Sequence, residues 1–163
     1  MRTKIQNKTA SAEIESLGAQ LMSLKNAEGT EYLWQGNPAF WSSRAPVLFP
    51  TVGNVRGGTT IINGKPYALK RHGFARNLEH SVLDSGANFI AYSLKDSEET
   101  RKLYPFVFEL RVTYRLIENG LTTEFAVFTR GDEELPFGIG GHPGSCCPLA
   151  PGERFEVYRI LFE

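Results

Sequence analysis

Phe106-Val107-Phe108-Glu109-Leu110-Arg111-Val112-Thr113-Tyr114-Arg115-Leu116 is the stretch that decides the fold class. Apolar or aromatic side chains fill every even position, and Val107, Glu109, Arg111, Thr113 and Arg115 alternate with them. A period of two sends successive side chains to opposite faces, so the segment predicts a long antiparallel strand with one face buried. Glu118-Asn119-Gly120 follows as a turn signal, and residues 121–128 resume a strand-like run, which together predict a hairpin. The same reading extends upstream. Asn63-Gly64 closes a second hairpin, and Ser85-Gly86-Ala87-Asn88 links strands over 79–84 and 89–94. Only residues 96–103, with a capping box and with Pro105 beyond, carry helix signals. The chain is therefore read as all-β, an antiparallel β-sandwich.

At 163 residues the chain fits one domain, and 41% hydrophobic content with 12% aromatics supports a packed core. No run of about 18 apolar residues is present, and the first residues lack the apolar stretch of a secretory signal, so neither a membrane nor a secretory route is expected. The two cysteines, Cys146 and Cys147, are neighbours. A mutual disulfide there would be strained, which fits a reducing compartment, and the expected location is the cytoplasm. Neither a metal nor a cofactor is expected, since no histidine sits at ligand spacing from these cysteines.

Net charge is zero but unevenly spread: residues 1–80 hold ten bases and five acids, residues 81–163 eight and thirteen. Between Tyr32 and Leu78 there is no Asp or Glu, while Arg44, Arg56, Lys65, Lys70, Arg71 and Arg76 all fall there. Nucleic-acid domains carry a clear positive excess, so nucleic acid is not the expected partner. The acid-free stretch is better read as a surface or pocket for a carboxylate or phosphate, the alternative being arginines that are merely solvated.

Two motifs carry candidate chemistry. In Gly138-Ile139-Gly140-Gly141-His142-Pro143-Gly144, proline excludes the α region for His142 and predicts it extended, the paired glycines are read as letting a ligand approach the backbone, and the glycines flanking the histidine are read as serving no packing purpose. Arg71-His72-Gly73-Phe74-Ala75-Arg76 supplies a second histidine seventy residues away. His72, His142 and Arg56 are expected to converge. His80, outside any motif, is read as surface or core. Trp34, Phe40 and Trp41 could floor a sugar site or pack in the core.

The ordered set Arg44-Ala45-Pro46-Val47-Leu48-Phe49-Pro50, Gly53-Asn54-Val55-Arg56-Gly57-Gly58, Asn63-Gly64-Lys65-Pro66-Tyr67, His72-Gly73-Phe74-Ala75-Arg76, Tyr104-Pro105-Phe106 and Gly140-Gly141-His142-Pro143 resembles the aldose 1-epimerase (galactose mutarotase) family, in the branch of LacX-type proteins and hexose-6-phosphate epimerases. The resemblance implies the large galactose mutarotase-like sandwich, or supersandwich, with a sugar or sugar phosphate bound across one sheet. It implies an isomerase that interconverts the α and β anomers of a hexose or hexose phosphate by acid/base ring opening. His142 takes the place of the family's acid on the ring oxygen, and His72 that of the histidine polarising or orienting the same oxygen. Arg56 matches the sugar-binding arginine, with Arg76 and Arg44 as further cleft arginines.

The family's general base is a glutamate in the C-terminal half, with a sugar-binding aspartate before it, and neither motif occurs here. Glu133, Glu134 and Glu153 lie in turns without matching context. Residues 1–163 are accordingly read as the N-terminal portion of one such domain, apparently truncated, with impaired activity. The alternatives are a non-catalytic carbohydrate-binding sandwich and a half completed by a separate chain or by self-association. The alternating run over residues 154–163 is expected to be a strand, which motivates the last alternative.

Overall fold

The computed structural model describes residues 1–161 other than Asn119 and Asp132. Three short strands open the chain: β1 (Arg2–Gln6), β2 (Ala10–Glu15) and β3 (Gln20–Asn26), an antiparallel sheet in the order β1-β2-β3. After a long loop come β4 (Val47–Leu48), the hairpin of β5 (Thr59–Ile62) and β6 (Lys65–Ala68), then β7 (Ser81–Ser85) and β8 (Phe89–Lys95). A single helical turn and a half, α1 (Glu98–Leu103), leads to β9 (Phe108–Ile117), β10 (Gly120–Thr129) and the two-residue β11 (Gly140–Gly141). The main sheet runs β10-β9-β8-β7, and β11 pairs with β4.

Local chemistry accounts for most of these elements. In the β5–β6 turn Asn63 and Gly64 have φ of 50° and 75°, the left-handed pair that a two-residue hairpin with the proper twist requires. The Ser97 side chain accepts from the Thr100 N–H while the Thr100 hydroxyl oxygen accepts from the Ser97 N–H, the reciprocal cap expected at the start of α1. β9 and β10 pair in unbroken register from Gly120 opposite Ile117 to Thr129 opposite Phe108, as the hairpin reading required. Asn119 of the expected turn lies outside the described residues.

The core sits between the β1–β3 sheet and one face of the main sheet. Phe106, Phe108, Leu110, Val112, Tyr114 and Leu116 are all buried, joined by Ile5, Ile14, Ile90 and Tyr92. The two layers are also tied by a polar bond, the Tyr114 hydroxyl donating to the Ala19 carbonyl at 2.8 Å. Phe49, fully buried just after β4, stacks tilted on Phe108 at 5.1 Å and edge-on to Tyr104 and Phe74 at 6.0 and 6.3 Å. Such pairs add about 0.5–1.5 kcal/mol each beyond area burial, and they lock the loop carrying β4 onto β9.

Two sequence expectations are corrected. Glu109, placed by the alternation on the open face, is 1% exposed. Arg111 and Arg130 fold over it as ion pairs and Ser93 donates to it at 2.9 Å, so a charge at an outward position is sealed by its own neighbours. Those bonds, Arg111 first, pull its carboxyl down to about 2. The expected strand over 154–163 is not one: Phe155–Val157 form a 3-10 turn and residues 158–161 join no sheet. Phe155, Val157, Ile160 and Leu161 are 69%, 68%, 79% and 88% exposed. A period-two pattern makes a strand only where an edge is available to pair with it, and none lies beside this segment among the described residues. Phe162 and Glu163 lie outside the described residues. No helix among the described residues is long and apolar enough to cross a membrane.

Candidate sugar site

The two histidine motifs meet across β4. Gly140 and Gly141 of β11 lie opposite Leu48 and Val47, and the ladder continues past the glycines as the His142 N–H donates to the Pro46 carbonyl at 3.1 Å and the Gly144 N–H to Arg44 at 2.8 Å. His142 is therefore presented from extended backbone, as the following proline demands. On the other side of β4, Gly73 bridges to Phe49, and the Phe49 carbonyl takes the N–H groups of Phe74 and Ala75 at 3.0 and 3.2 Å. The bridge is so close that a Cβ on Gly73, whose φ is +69°, would stand 2.2 Å from that carbonyl oxygen. Glycine is the residue type that fits there.

His72 itself has φ of 68°, an uncommon conformation for a side-chain-bearing residue. Its main chain and ring both grip Gly53: the His72 N–H donates to the Gly53 carbonyl at 2.8 Å, and the Gly53 N–H donates to Nδ1 at 3.0 Å. An accepting Nδ1 assigns the remaining proton to Nε2, which leaves the ring a donor towards the cavity. The ring centroids of His72 and His142 are 6.0 Å apart, and Trp41 lies 5.3 Å from His142. Desolvation, then the positive charges of Arg71 and Arg76, then His142 lower the His72 pKa. The ring is held neutral, suited to orienting a substrate rather than protonating it.

These rings line an opening of about 400 Å³ with Trp41, Pro46, Leu48, Arg71 and Arg76. Arg76 donates through Nη2 to the Arg71 carbonyl at 3.1 Å, while its buried Nε has no partner among the described residues. A larger opening of about 860 Å³ adjoins it, lined in part by Asn54, Arg56, Lys70, Arg71 and Asn77, with Arg71 common to both. Among the described residues no Asp or Glu lines either opening.

Of the five residues named from the sequence, His72, His142 and Arg76 thus stand together, and Arg56 lies in the adjoining opening. Arg44 does not line either one. Its Nη1 donates to the Met22 carbonyl at 2.8 Å, and the main-chain N–H groups of Arg44 and Ala45 both donate to Gln20 Oε1 at 3.1 Å, which pins the loop to β3. Trp41 reaches the site, its carbonyl accepting from Trp34 Nε1 at 2.8 Å, but Phe40 is 82% exposed and floors nothing. His80 is buried in the core, Nδ1 against the Leu78 carbonyl, as one of its two readings had it.

The reading of the glycines flanking His142 as serving no packing purpose is corrected at Gly144. A Cβ there would meet the Trp41 ring at 2.7 Å and Trp34 Cβ at 3.0 Å, so Gly144 exists to let Trp41 lie against the histidine segment. Arg71 is the site residue that sequence reasoning missed, although its signal, a cation directly before His72, stood in the motif. The acids left open also fall elsewhere: Glu133 and Glu134 line a separate opening beside Asn63, and Glu153 bonds Tyr158.

An imidazole, a second oriented imidazole, an indole face and unpaired guanidinium groups form a set able to hold a polyhydroxylated ring and move a proton at one of its oxygens. The chain is similar to several known proteins. The galactose mutarotase related enzyme from Lactobacillus acidophilus superposes with a TM-score of 0.92 at 44% identity, over 94% of this chain and 52% of that one. A galactose mutarotase-like protein from Lactobacillus casei ATCC 334 superposes at 0.85 and 35% identity, over 88% and 49%. Protein LacX (chromosomal) of Lactococcus lactis subsp. lactis is 36% identical over 168 residues, covering 99% of this chain and 56% of LacX. The chain thus spans about half the length of the relatives it matches. The sequence profile of the aldose 1-epimerase family matches residues 1–157, and with the antiparallel sandwich and paired histidine motifs this makes the chain a member of the aldose 1-epimerase family.

Proposed function

We propose that this chain carries the acid side of an aldose 1-epimerase site and acts on a hexose or hexose phosphate. The observation that supports it is the approach of the His72 and His142 rings to 6.0 Å across one cavity. In this reading the His142 imidazolium gives its proton to the ring oxygen as the bond from that oxygen to the anomeric carbon breaks. The anomeric hydroxyl loses its proton, the aldehyde rotates, and closure in the reverse sense returns the proton to His142. His72 holds the sugar in register through Nε2–H, with Arg76, Arg71 and Arg56 as donors to hydroxyl or phosphate oxygens. Arg44 keeps a supporting place through the loop it anchors.

Among the described residues no carboxylate lines the openings, so in this reading the anomeric proton passes to water, and general acid–base terms are worth about 10² to 10⁴ in rate. The chain alone is therefore a slow catalyst, and residues 1–163 serve as the N-terminal portion of a single epimerase-type domain. A cytoplasmic setting goes with this reading, since Cys146 and Cys147 are free thiols.

Polarimetry of freshly dissolved α-D-glucose or α-D-galactose tests it. A rate above the buffer blank is expected, falling by about 10² in His142→Asn with sugar affinity retained by tryptophan fluorescence. An equal rate in the variant removes His142 as the acid. The absence of a lining carboxylate among the described residues favours a second reading, a carbohydrate-binding sandwich without catalysis. Sugar binding with no rate above the blank selects it.

A further inference from the structure

His72 faces two hydrogen-bond donors and has one lone pair to offer. The Gly53 N–H approaches Nδ1 at 3.0 Å, and Arg71 Nε approaches Nε2 at 3.1 Å. A neutral imidazole accepts at one nitrogen and donates at the other, and an imidazolium accepts at neither, so both contacts cannot be satisfied in any protonation state. The Gly53 donor cannot give way, because it is main chain and is held by the reciprocal bond from the His72 N–H. The proton belongs on Nε2. Two N–H groups, from His72 and Arg71, then converge with no acceptor between them.

We propose that Arg71 is a second donor to the sugar oxygen held by His72, and so a specificity-determining contact of the site. This rests on the sugar-binding reading above. Two N–H donors sharing one oxygen at about 2.9 Å each stand roughly 4.7 Å apart, so Arg71 has to withdraw by about 1.6 Å for the oxygen to enter. The geometry allows this: the Arg71 side chain is exposed, it joins no ion pair among the described residues, and the opening of about 860 Å³ lies on its far side. The oxygen has to accept twice. The ring oxygen needs a lone pair for the His142 proton, which makes it a poor occupant; a hydroxyl beside it, with two lone pairs and its own proton turned away, is the suitable one. Relief of the donor–donor contact then accompanies binding of that hydroxyl and of no sugar that lacks it.

The test is a binding cycle on the full 163-residue chain, wild type and Arg71→Gln, with D-glucose, D-galactose and their monodeoxy derivatives, followed by nitrogen-15 signals of the Arg71 Nε–H and the His72 ring. Sugar is expected to move both signals with one dissociation constant. R71Q is expected to weaken binding about tenfold, the scale of one hydrogen bond to a charged group. One deoxy sugar is expected to lose about tenfold more against the wild type than against R71Q, the His72 bond being lost in both and the Arg71 bond in the wild type alone. Arg71→Lys, which keeps the charge but has no Nε–H, should not restore the loss and replaces R71Q if the latter fails to fold. Sugar that moves His72 but not Arg71, with R71Q binding as wild type and every deoxy sugar losing equally in both proteins, overturns the Arg71 assignment alone. Sugars that move no signal of the wild-type chain remove the sugar reading and this assignment together.

Discussion

Gly73→Ala should be the most damaging single-methyl change in the site. Two penalties combine there. The residue has φ of +69°, where an L side chain costs about 1 kcal/mol or more, and the added Cβ would stand 2.2 Å from the Phe49 oxygen, 2.5 Å from its carbonyl carbon and 2.6 Å from the Pro50 nitrogen. Contacts under 3.0 Å are not tolerated, so backbone must shift, yet that oxygen already accepts from Phe74 and Ala75 and the Phe49 ring is wedged against Phe108. Overpacking of a close site costs about 1–3 kcal/mol, and restriction of the unfolded chain returns about 0.4–1 kcal/mol. The net loss is about 1–4 kcal/mol, of which overpacking supplies about 1–3 kcal/mol beyond what the positive φ alone costs. Gly57→Ala is the internal control, with φ of +64° but nothing within 4 Å of its Cβ, and should lose about 1 kcal/mol. Urea unfolding of the two variants and the wild type, compared at equal slope, reads the difference. If Gly73→Ala unfolds within about 0.5 kcal/mol of Gly57→Ala, the close bridge to Phe49 is not what demands glycine, and the account of how His72 is aimed fails.

Glu109 has a folded pKa of about 2 against 4.5 ordinarily, so its stabilising effect is present above pH 4.5 and is lost as pH falls towards 2. Glu109→Gln should remove that part of the acid dependence while lowering stability at pH 7, as read by urea midpoints across pH 2.5 to 7. His80 is also shifted down, by burial, although the Leu78 carbonyl and Glu79 oppose the shift. Its folded form resists protonation, so stability should decline as pH falls through the ordinary value of 6.5, and His80→Phe should flatten the midpoint between about pH 7.5 and 5.5. Gly144→Ala should push the Trp41 ring from beneath His142. Expected are an altered tryptophan emission and weaker sugar binding; unchanged emission and affinity would show that the 2.7 Å approach is not needed.

What the sequence alone determined was whatever depends on neighbours along the chain. The alternation at 106–116 specifies a buried face because side-chain direction in a strand is local, and Asn63-Gly64 specifies its hairpin because a backbone conformation, not a distant partner, selects those residues. The six ordered motifs pointed to the family on the same footing, as runs of residues. Tertiary structure decided everything that depends on pairing across the chain. The β1–β3 sheet went unread. Glu109 is buried by one arginine of β9 and another just past the end of β10, and the run at 154–161 stays unpaired although its alternation matches that of a strand. At the site, proximity of His72 and His142 followed from motif logic, but which arginine sets a donor against the His72 ring and which merely anchors a loop did not. Arg44, Arg56, Arg71 and Arg76 are alike as letters. They differ in the carbonyl, ring nitrogen or open cavity that the folded backbone sets within reach of each.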